Sequence, residues 1–289
     1  MRFFCYTEGL VRIECGMLEN VLTKSILRRL PSTVTEVRVR RRQPFCYLTP
    51  KGRTTSDHVV TDAEFDEVLS LVTEHSLYAI TEKLVNGYIP LKGGVRVGVA
   101  GEGVMEGERV KTVKHITSLA VRVPHQIFGI ADFLQIDGYF NQNVLIVSPP
   151  GAGKTTLLRE ISRKLSRAGK IVVVLDERGE ISGANGTEFA LDLGANTDVL
   201  FGFPKKVSYD NALRALAPDY IVTDELSGEK DVEGVLRAYY GGVKVVATLH
   251  GGSLDVFHKE FVSLERVFDH LILLSKTPKV GSVVREVVK

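Results

Sequence analysis

Ser148-Pro-Pro-Gly-Ala-Gly-Lys-Thr155 decides how the rest of the chain is read. It follows the apolar run Val144-Leu-Ile-Val147 and opens a helical pattern in which Leu157, Leu158, Ile161 and Leu165 recur. A strand, a glycine-bearing turn and a helix N-terminus together form a phosphate cradle, because the turn's N–H groups point inward and the helix dipole favours an anion. Pro150, Gly151, Ala152, Gly153, Lys154, Thr155 and Thr156 are therefore the expected nucleotide-binding residues. Lys154 can reach the β- and γ-phosphates, and the Thr155 hydroxyl can hold Mg²⁺. ATP and Mg²⁺ are the cofactors this implies. The usual pattern begins with Gly where this chain has Ser148, but Gly151, Gly153 and the Lys-Thr pair are kept.

Composition narrows the class. The chain has 289 residues, enough for one large or two ordinary domains, with 44% hydrophobic and 25% charged residues, as in globular proteins. Thirty-seven basic against 35 acidic residues give a formal net charge of +2, which excludes a strongly polybasic nucleic-acid binder but not a local basic patch. Cys5, Cys15 and Cys46 make neither a CxxC pair nor a metal set, and so sparse a count suits a reducing cytoplasm. No apolar run approaches the roughly 18 residues of a spanning helix, and the opening Met1-Arg-Phe-Phe-Cys-Tyr6 is too briefly apolar for a signal peptide. Membrane contact is expected to be peripheral, through partners.

The pattern changes near Arg122-Val-Pro-His-Gln-Ile-Phe128, read here as a boundary and a hinge. Residues 1–125 mix helical and alternating segments and read as a smaller α+β domain. Thr61 to Leu77 reads as a helix capped by Thr61 or Asp62, with Phe65, Val68, Leu69 and Val72 on one face. Glu36 to Arg40 alternates, and Val95, Val97 and Val99 alternate between glycines, as in a hairpin strand. Residues 126–289 read as α/β. Ile171–Leu175, Tyr220–Thr223, Lys244–Leu249 and Leu271–Leu274 are short apolar runs of the kind buried on both faces of a parallel sheet. Helical patterns lie around 208–217, 231–240 and 254–267. Ligands of such sheets bind beyond the carboxyl ends of the strands, so the residues just after each run are where chemistry is expected.

Asp224-Glu225 ends one run: an aspartate there can hold Mg²⁺, and a glutamate beside it can polarise the water that attacks the γ-phosphate. Asp176-Glu177-Arg178-Gly-Glu180 ends another, so two strands deliver acids to one rim. Asp176 is a second candidate for Mg²⁺ and Glu177 a second candidate for activating water. His250, before Gly251-Gly252, can detect whether a γ-phosphate is present.

Ser148–Thr155, Asp176–Glu180, Ala217-Pro-Asp-Tyr-Ile-Val-Thr-Asp-Glu225 and Ala247-Thr-Leu-His-Gly251 occur in the order of the Walker A, acidic, Walker B and histidine boxes of type II/type IV secretion ATPases, which this chain resembles. Thr81-Glu-Lys-Leu-Val-Asn-Gly-Tyr88, Gly94-Val-Arg-Val-Gly-Val-Ala-Gly101, Lys114-His-Ile-Thr-Ser-Leu119 and Asp198-Val-Leu-Phe-Gly-Phe-Pro-Lys205 make it similar to their stage III sporulation AA family of endospore-forming bacteria. The resemblance implies a RecA-like P-loop NTPase core behind a smaller N-terminal α+β domain, Mg²⁺-dependent ATP hydrolysis, and a homo-oligomeric ring, expected to be a hexamer. It also implies work from the mother-cell cytoplasm on a channel complex between mother cell and forespore, through integral-membrane components of that complex. It carries the phosphate-binding roles to Lys154 and Thr155, the acidic box to Asp176 and Glu177, the Walker B acids to Asp224 and Glu225, and the histidine to His250. The four-cysteine metal module of some secretion ATPases is missing. The Walker B strand ends in Asp-Glu rather than Gly-Glu, so either Glu177 or Glu225 can be the water-activating acid.

A ring NTPase often completes its site with an arginine from a neighbour. Arg96, between glycines in the expected hairpin, is the leading candidate, ahead of Arg38, Arg40, Arg41, Arg42, Arg122, Arg214, Arg237 and Arg266. Two other readings compete with a ring motor. A nucleic-acid-stimulated ATPase could use Arg38 to Arg42, but near-neutral charge and the lack of an aromatic stacking platform argue against nucleic acid as a partner. A non-hydrolysing nucleotide-gated assembly factor is opposed by the paired acids at two strand ends.

Overall fold

The computed structural model describes residues 11–12, 16–49, 51–73, 88–91, 94–124, 126–185 and 188–289. The expected motif Thr81–Gly87, the end of the helix expected to reach Leu77, Cys5, Cys15 and His125 of the expected hinge lie outside them. The described residues form two compact units, one from Val11–His125 with Asn185–Leu191, the other from Gln126–Ala184 with Asp192–Lys289.

The first unit contains β1 (Glu36–Arg40), β2 (Pro44–Thr49), β3 (Gly52–Val59), α1 (Asp62–Val72), β4 (Tyr88–Pro90), β5 (Arg96–Glu106) and β6 (Arg109–Arg122). The strands form one antiparallel sheet in the order β3-β2-β1-β6-β5-β4. Alternation in β1 buries Val37 and Val39, and β5 and β6 add Val97, Leu119 and Val121 to the same core. The Thr61 hydroxyl accepts from the Glu64 N–H and caps α1, whose Phe65, Val68 and Val72 close that core. Beyond Ala100, β5 and β6 continue as a two-stranded ribbon with register shifts, turning at Gly107 and Glu108.

The second unit contains β7 (Val144–Ser148), α2 (Lys154–Arg167), β8 (Val172–Asp176), β9 (Thr197–Phe201), α3 (Lys205–Asn211), β10 (Tyr220–Thr223), α4 (Glu229–Tyr240), β11 (Lys244–His250), α5 (Asp255–Glu260), β12 (His270–Ser275) and β13 (Ser282–Val288). Its sheet runs β9-β8-β10-β11-β7-β12-β13, all parallel except the antiparallel β13. Both faces are covered. Leu145, Val147, Val173, Leu175, Ile221 and Val245 pack with Tyr209, Val235 and Phe257 on one face. Val144, Ile146, Val172, Val174, Val222 and Val246 pack with Leu157, Leu158, Ile161 and Leu165 of α2 on the other. The continuous apolar runs are thus explained by burial on both sides.

The helical patterns are broken differently from the expectation. The pattern around 208–217 begins at Lys205, passes into a turn of π-helix over Ala212–Leu216 and stops at Ala217, before Pro218. The pattern around 254–267 divides into α5 and a 3₁₀ turn at Val262–Leu264.

Candidate functional site

The chain leaves β7 at Ser148, turns through Pro149–Gly153 and enters α2 at Lys154. Gly151 (φ 67°) and Gly153 (φ 93°) take the left-handed backbone that glycine allows. Gly153 is the N-cap, and no side chain caps α2, so its first N–H groups are left for another acceptor. The Lys154 ammonium has no hydrogen-bond or ion-pair partner among the described residues. Ser148 is an ordinary strand residue, buried, opposite His250, with its hydroxyl donating to the Pro149 carbonyl. Replacing the usual glycine there therefore strains nothing.

The register aligns the strand ends. Leu175 faces Thr223 across β8 and β10, Thr223 faces Ala247 across β10 and β11, and His250 faces Ser148 across β11 and β7. Asp176, Asp224, His250 and the Pro149–Gly153 turn all lie at this carboxyl rim.

Asp176 is fully buried, and both its oxygens are used. One accepts from the N–H groups of Glu180 (2.8 Å) and Ile181 (3.2 Å), the other from the N–H and hydroxyl of Ser182 (2.8 and 2.6 Å). Four donors leave little lone-pair capacity for a cation, and the carboxylate shapes the turn that follows it. This departs from the expectation of Asp176 as a Mg²⁺ ligand. Arg159 of α2 fastens the same turn, donating to the carbonyls of Ile181 (2.7 Å) and Glu180 (3.0 Å), and burial pushes its guanidinium down to about 10. Glu177 stands exposed on the turn.

Asp224 and Glu225 are held from several sides. The Lys205 ammonium donates to both their carbonyls, at 2.5 Å each. The Glu225 N–H donates to the buried Thr248 hydroxyl (2.7 Å) and the Leu226 N–H to the Thr248 carbonyl (2.8 Å). Glu225 has φ 42°, a left-handed backbone that is uncommon for a side chain of this kind. Burial pushes the Asp224 carboxyl up to about 6; Lys205 opposes this, while Asp176, Glu180 and Glu225 add to it. Among the described residues no group of three His, Cys, Asp or Glu side chains is placed to hold a metal alone. Asp224 and the Thr155 hydroxyl are oxygen donors of the kind Mg²⁺ takes one or two of, filling its remaining positions from phosphate and water. The crowded carboxylates mark where a cation would relieve charge, so the residues present fit Mg²⁺·ATP.

His250 is exposed. With Glu225, Leu226, Glu229, Glu233 and Glu260 it lines an open groove of about 860 Å³, which residues 150–156 do not reach. Arg96 belongs to the first unit. It opens β5 rather than standing at the hairpin turn, pairs with Arg122 across the sheet, and its guanidinium lies 5.3 Å from the centre of the Tyr88 ring. Arg38 pairs with Glu36, Arg41 with Asp66 and Arg42 with Asp62, so this basic run is largely neutralised by acids of its own unit.

Arg159, Lys205 and Thr248 were missed as site-building residues. Thr248 carried a signal, a polar residue inside an apolar run. Lys205 stands just past the end of β9, a strand whose half-polar sequence conceals it. Arg159 carried none.

The family model described as Sporulation stage III, protein AA matches residues 7–287. This chain belongs to that family. It is 33% identical over 256 residues to the stage III sporulation protein AA of Bacillus subtilis, covering 85% of this chain and 80% of that one. Among solved structures it is similar to the Yersinia pseudotuberculosis ATPase DotB, with a TM-score of 0.60 and 15% identity over 86% of this chain and 73% of that one. It is also similar to the pilus retraction motor PilT with bound ADP, with a TM-score of 0.59 and 15% identity over 91% and 80%. At that identity the likeness establishes the fold, a RecA-like α/β core of the secretion-ATPase kind. No helix among the described residues is long and apolar enough to cross a membrane.

Proposed function

We propose that this protein is a Mg²⁺-dependent ATPase that works as a ring motor, expected to be hexameric, on a secretion-like channel complex between mother cell and forespore. The observation that carries the reading is the loop from Ser148 to Thr155. Its glycine backbone and uncapped helix start follow β7 at the carboxyl end of the sheet, the end at which β10 delivers Asp224 and Glu225, and this supports the reading. When bound, Mg²⁺·ATP supplies an electrophilic terminal phosphoryl group. Residues Pro150–Thr156 bind the phosphates, Lys154 as the point charge. The Thr155 hydroxyl and Asp224 hold the cation, with Asp176 as the support that sets the neighbouring turn. Glu225 orients and polarises water; its backbone is fixed by Thr248 and Lys205, whereas Glu177 is exposed. His250, bordering the same groove as Glu225, senses the state of the site. An arginine from a neighbouring copy, Arg96 the first candidate, completes it. Membrane contact comes through integral-membrane partners.

The test is steady-state ATP turnover per chain against protein concentration, with Mg²⁺. Turnover that rises and then levels off supports sites shared between copies. A Lys154→Ala protein that hydrolyses ATP at the wild-type rate would overturn the reading.

A further inference from the structure

The geometry points to Lys276 as a second phosphate-binding cation of the nucleotide site, supplied by the turn between β12 and β13. The inference rests on the nucleotide reading of the Ser148–Thr155 loop and adds a residue that no sequence pattern marks.

β12 is a parallel neighbour of β7, and Leu273 stands opposite Val147. The chain leaving β12 at Ser275 therefore runs out beside the chain leaving β7 at Ser148. Contacts bear this out. A Cβ built on Gly151 would lie 3.5 Å from both Cε and Nζ of Lys276. One on Gly153 would lie 3.7 Å from Val280 Cγ1 and from the Cα of Gly281. The turn is also tied to the loop, since the Gly281 N–H donates to the Ala152 carbonyl at 3.1 Å. Its own shape is set by Ser282, whose hydroxyl donates to the Lys279 carbonyl at 2.7 Å.

Charge gives this proximity a meaning. Several lysines elsewhere rest against acids, among them Lys111 on Glu106, Lys114 on Glu102 and Lys164 on Asp132, while others are simply solvated, so it is the position of Lys276 over the loop that matters. Lys276 is exposed and has no hydrogen-bond or ion-pair partner among the described residues. It stands instead beside a loop that already presents a helix N-terminus and Lys154. Positive groups gathered on one loop repel each other, and a polyphosphate offsets that repulsion. Lys276 lies against Gly151, within the loop that leads into Lys154 and the helix start. The ligand class is a nucleoside di- or triphosphate, because a monophosphate seated at the helix start does not need a second cation.

The experiment is nucleotide binding by the full chain in its wild-type, Lys276→Ala, Lys276→Arg and Lys154→Ala forms, using fluorescent ATP and ADP analogues and competition by AMP. Lys276→Ala should weaken ATP and ADP about tenfold, leave AMP within about twofold and leave the nucleotide-free melting temperature unchanged; Lys276→Arg should recover most of the loss. If Lys276→Ala binds ATP like wild type while Lys154→Ala does not, Lys276 is merely solvated and the inference fails, with the nucleotide reading intact. Equal weakening of ATP and AMP would assign Lys276 to holding the turn, and the inference fails again. A wild-type chain that binds none of the three would remove both readings.

Discussion

Asp224→Asn should stabilise the nucleotide-free protein while disabling it. The Asp224 carboxyl sits at about 6 in the folded chain against an ordinary 3.8, mainly because burial disfavours its charge. A carboxyl raised on folding binds its proton more tightly in the native state. Native stability from this group therefore falls as pH rises from 3.8 through 6, and the full penalty stands above that window. At about 1.36 kcal/mol for each pH unit, the gap caps the penalty at about 3 kcal/mol. Partial exposure reduces it, so about 1–2 kcal/mol is expected at pH 8 and roughly half of that at pH 5. Asparagine has nearly the same shape and no charge, so it removes the penalty. Thermal melts without nucleotide at pH 8 and pH 5 test this, since a gain of that size raises the melting temperature by roughly 2–6 °C at pH 8. The same melts with Mg²⁺·ATP should raise the wild type further and Asp224→Asn much less, because the neutral amide lacks the carboxylate charge proposed to hold the cation. An Asp224→Asn protein that melts at or below wild type at pH 8 would refute the reasoning, since Asp224 would then be a stabilising acid and not a crowded one.

Two further outcomes follow from backbone geometry. Glu225→Gly should abolish ATP turnover yet raise the unfolding free energy from urea titration by about 0.5–1 kcal/mol, because glycine takes φ 42° without strain; a lower value would show that the side chain stabilises the fold. Gly234→Ala should cost about 3 kcal/mol or more in urea unfolding, because its Cβ would fall 2.3 Å from the buried Tyr209 ring, and a cost below about 1 kcal/mol would mean that α4 shifts to accommodate it.

The strand, glycine turn and helix start around Ser148–Thr155 are legible in the sequence because they are contiguous and each declares itself locally. The parallel core was legible for a related reason: β7, β8, β10, β11 and β12 are buried on both faces and therefore continuously apolar. β9 was not, since an edge strand with Thr197 and Asp198 needs no such run. The acidic turn shows the limit more sharply. In the sequence Asp176 and Asp224 look alike, each an acid ending an apolar run. Only the fold distinguishes them, by folding four donors back onto Asp176 and leaving Asp224 crowded by other acids. Which acid is spent on structure depends on where the following turn goes, and no spacing rule records that.

The loop is also bound to its neighbours by contacts that no local pattern carries. The Ser148 carbonyl accepts from the N–H of Gly251, just past His250, and the Ala152 carbonyl accepts from Gly281, just past the turn that begins at Lys276. Arg159 joins the helix that follows the loop to the acidic turn, and Thr248 joins Glu225 to the strand that ends at His250. Each such bond contributes only about 1 kcal/mol, so none could hold the rim alone. They close a circuit, however, from the loop through β11 to Asp224 and Glu225 and through α2 to the acidic turn. If the loop shifts on binding phosphate, as the proposed function requires, these bonds would transmit part of that shift to the strand end at His250 and to Glu225. The sensor role proposed for His250 would use this route, since the residue after it, Gly251, is hydrogen-bonded to Ser148 at the start of the loop.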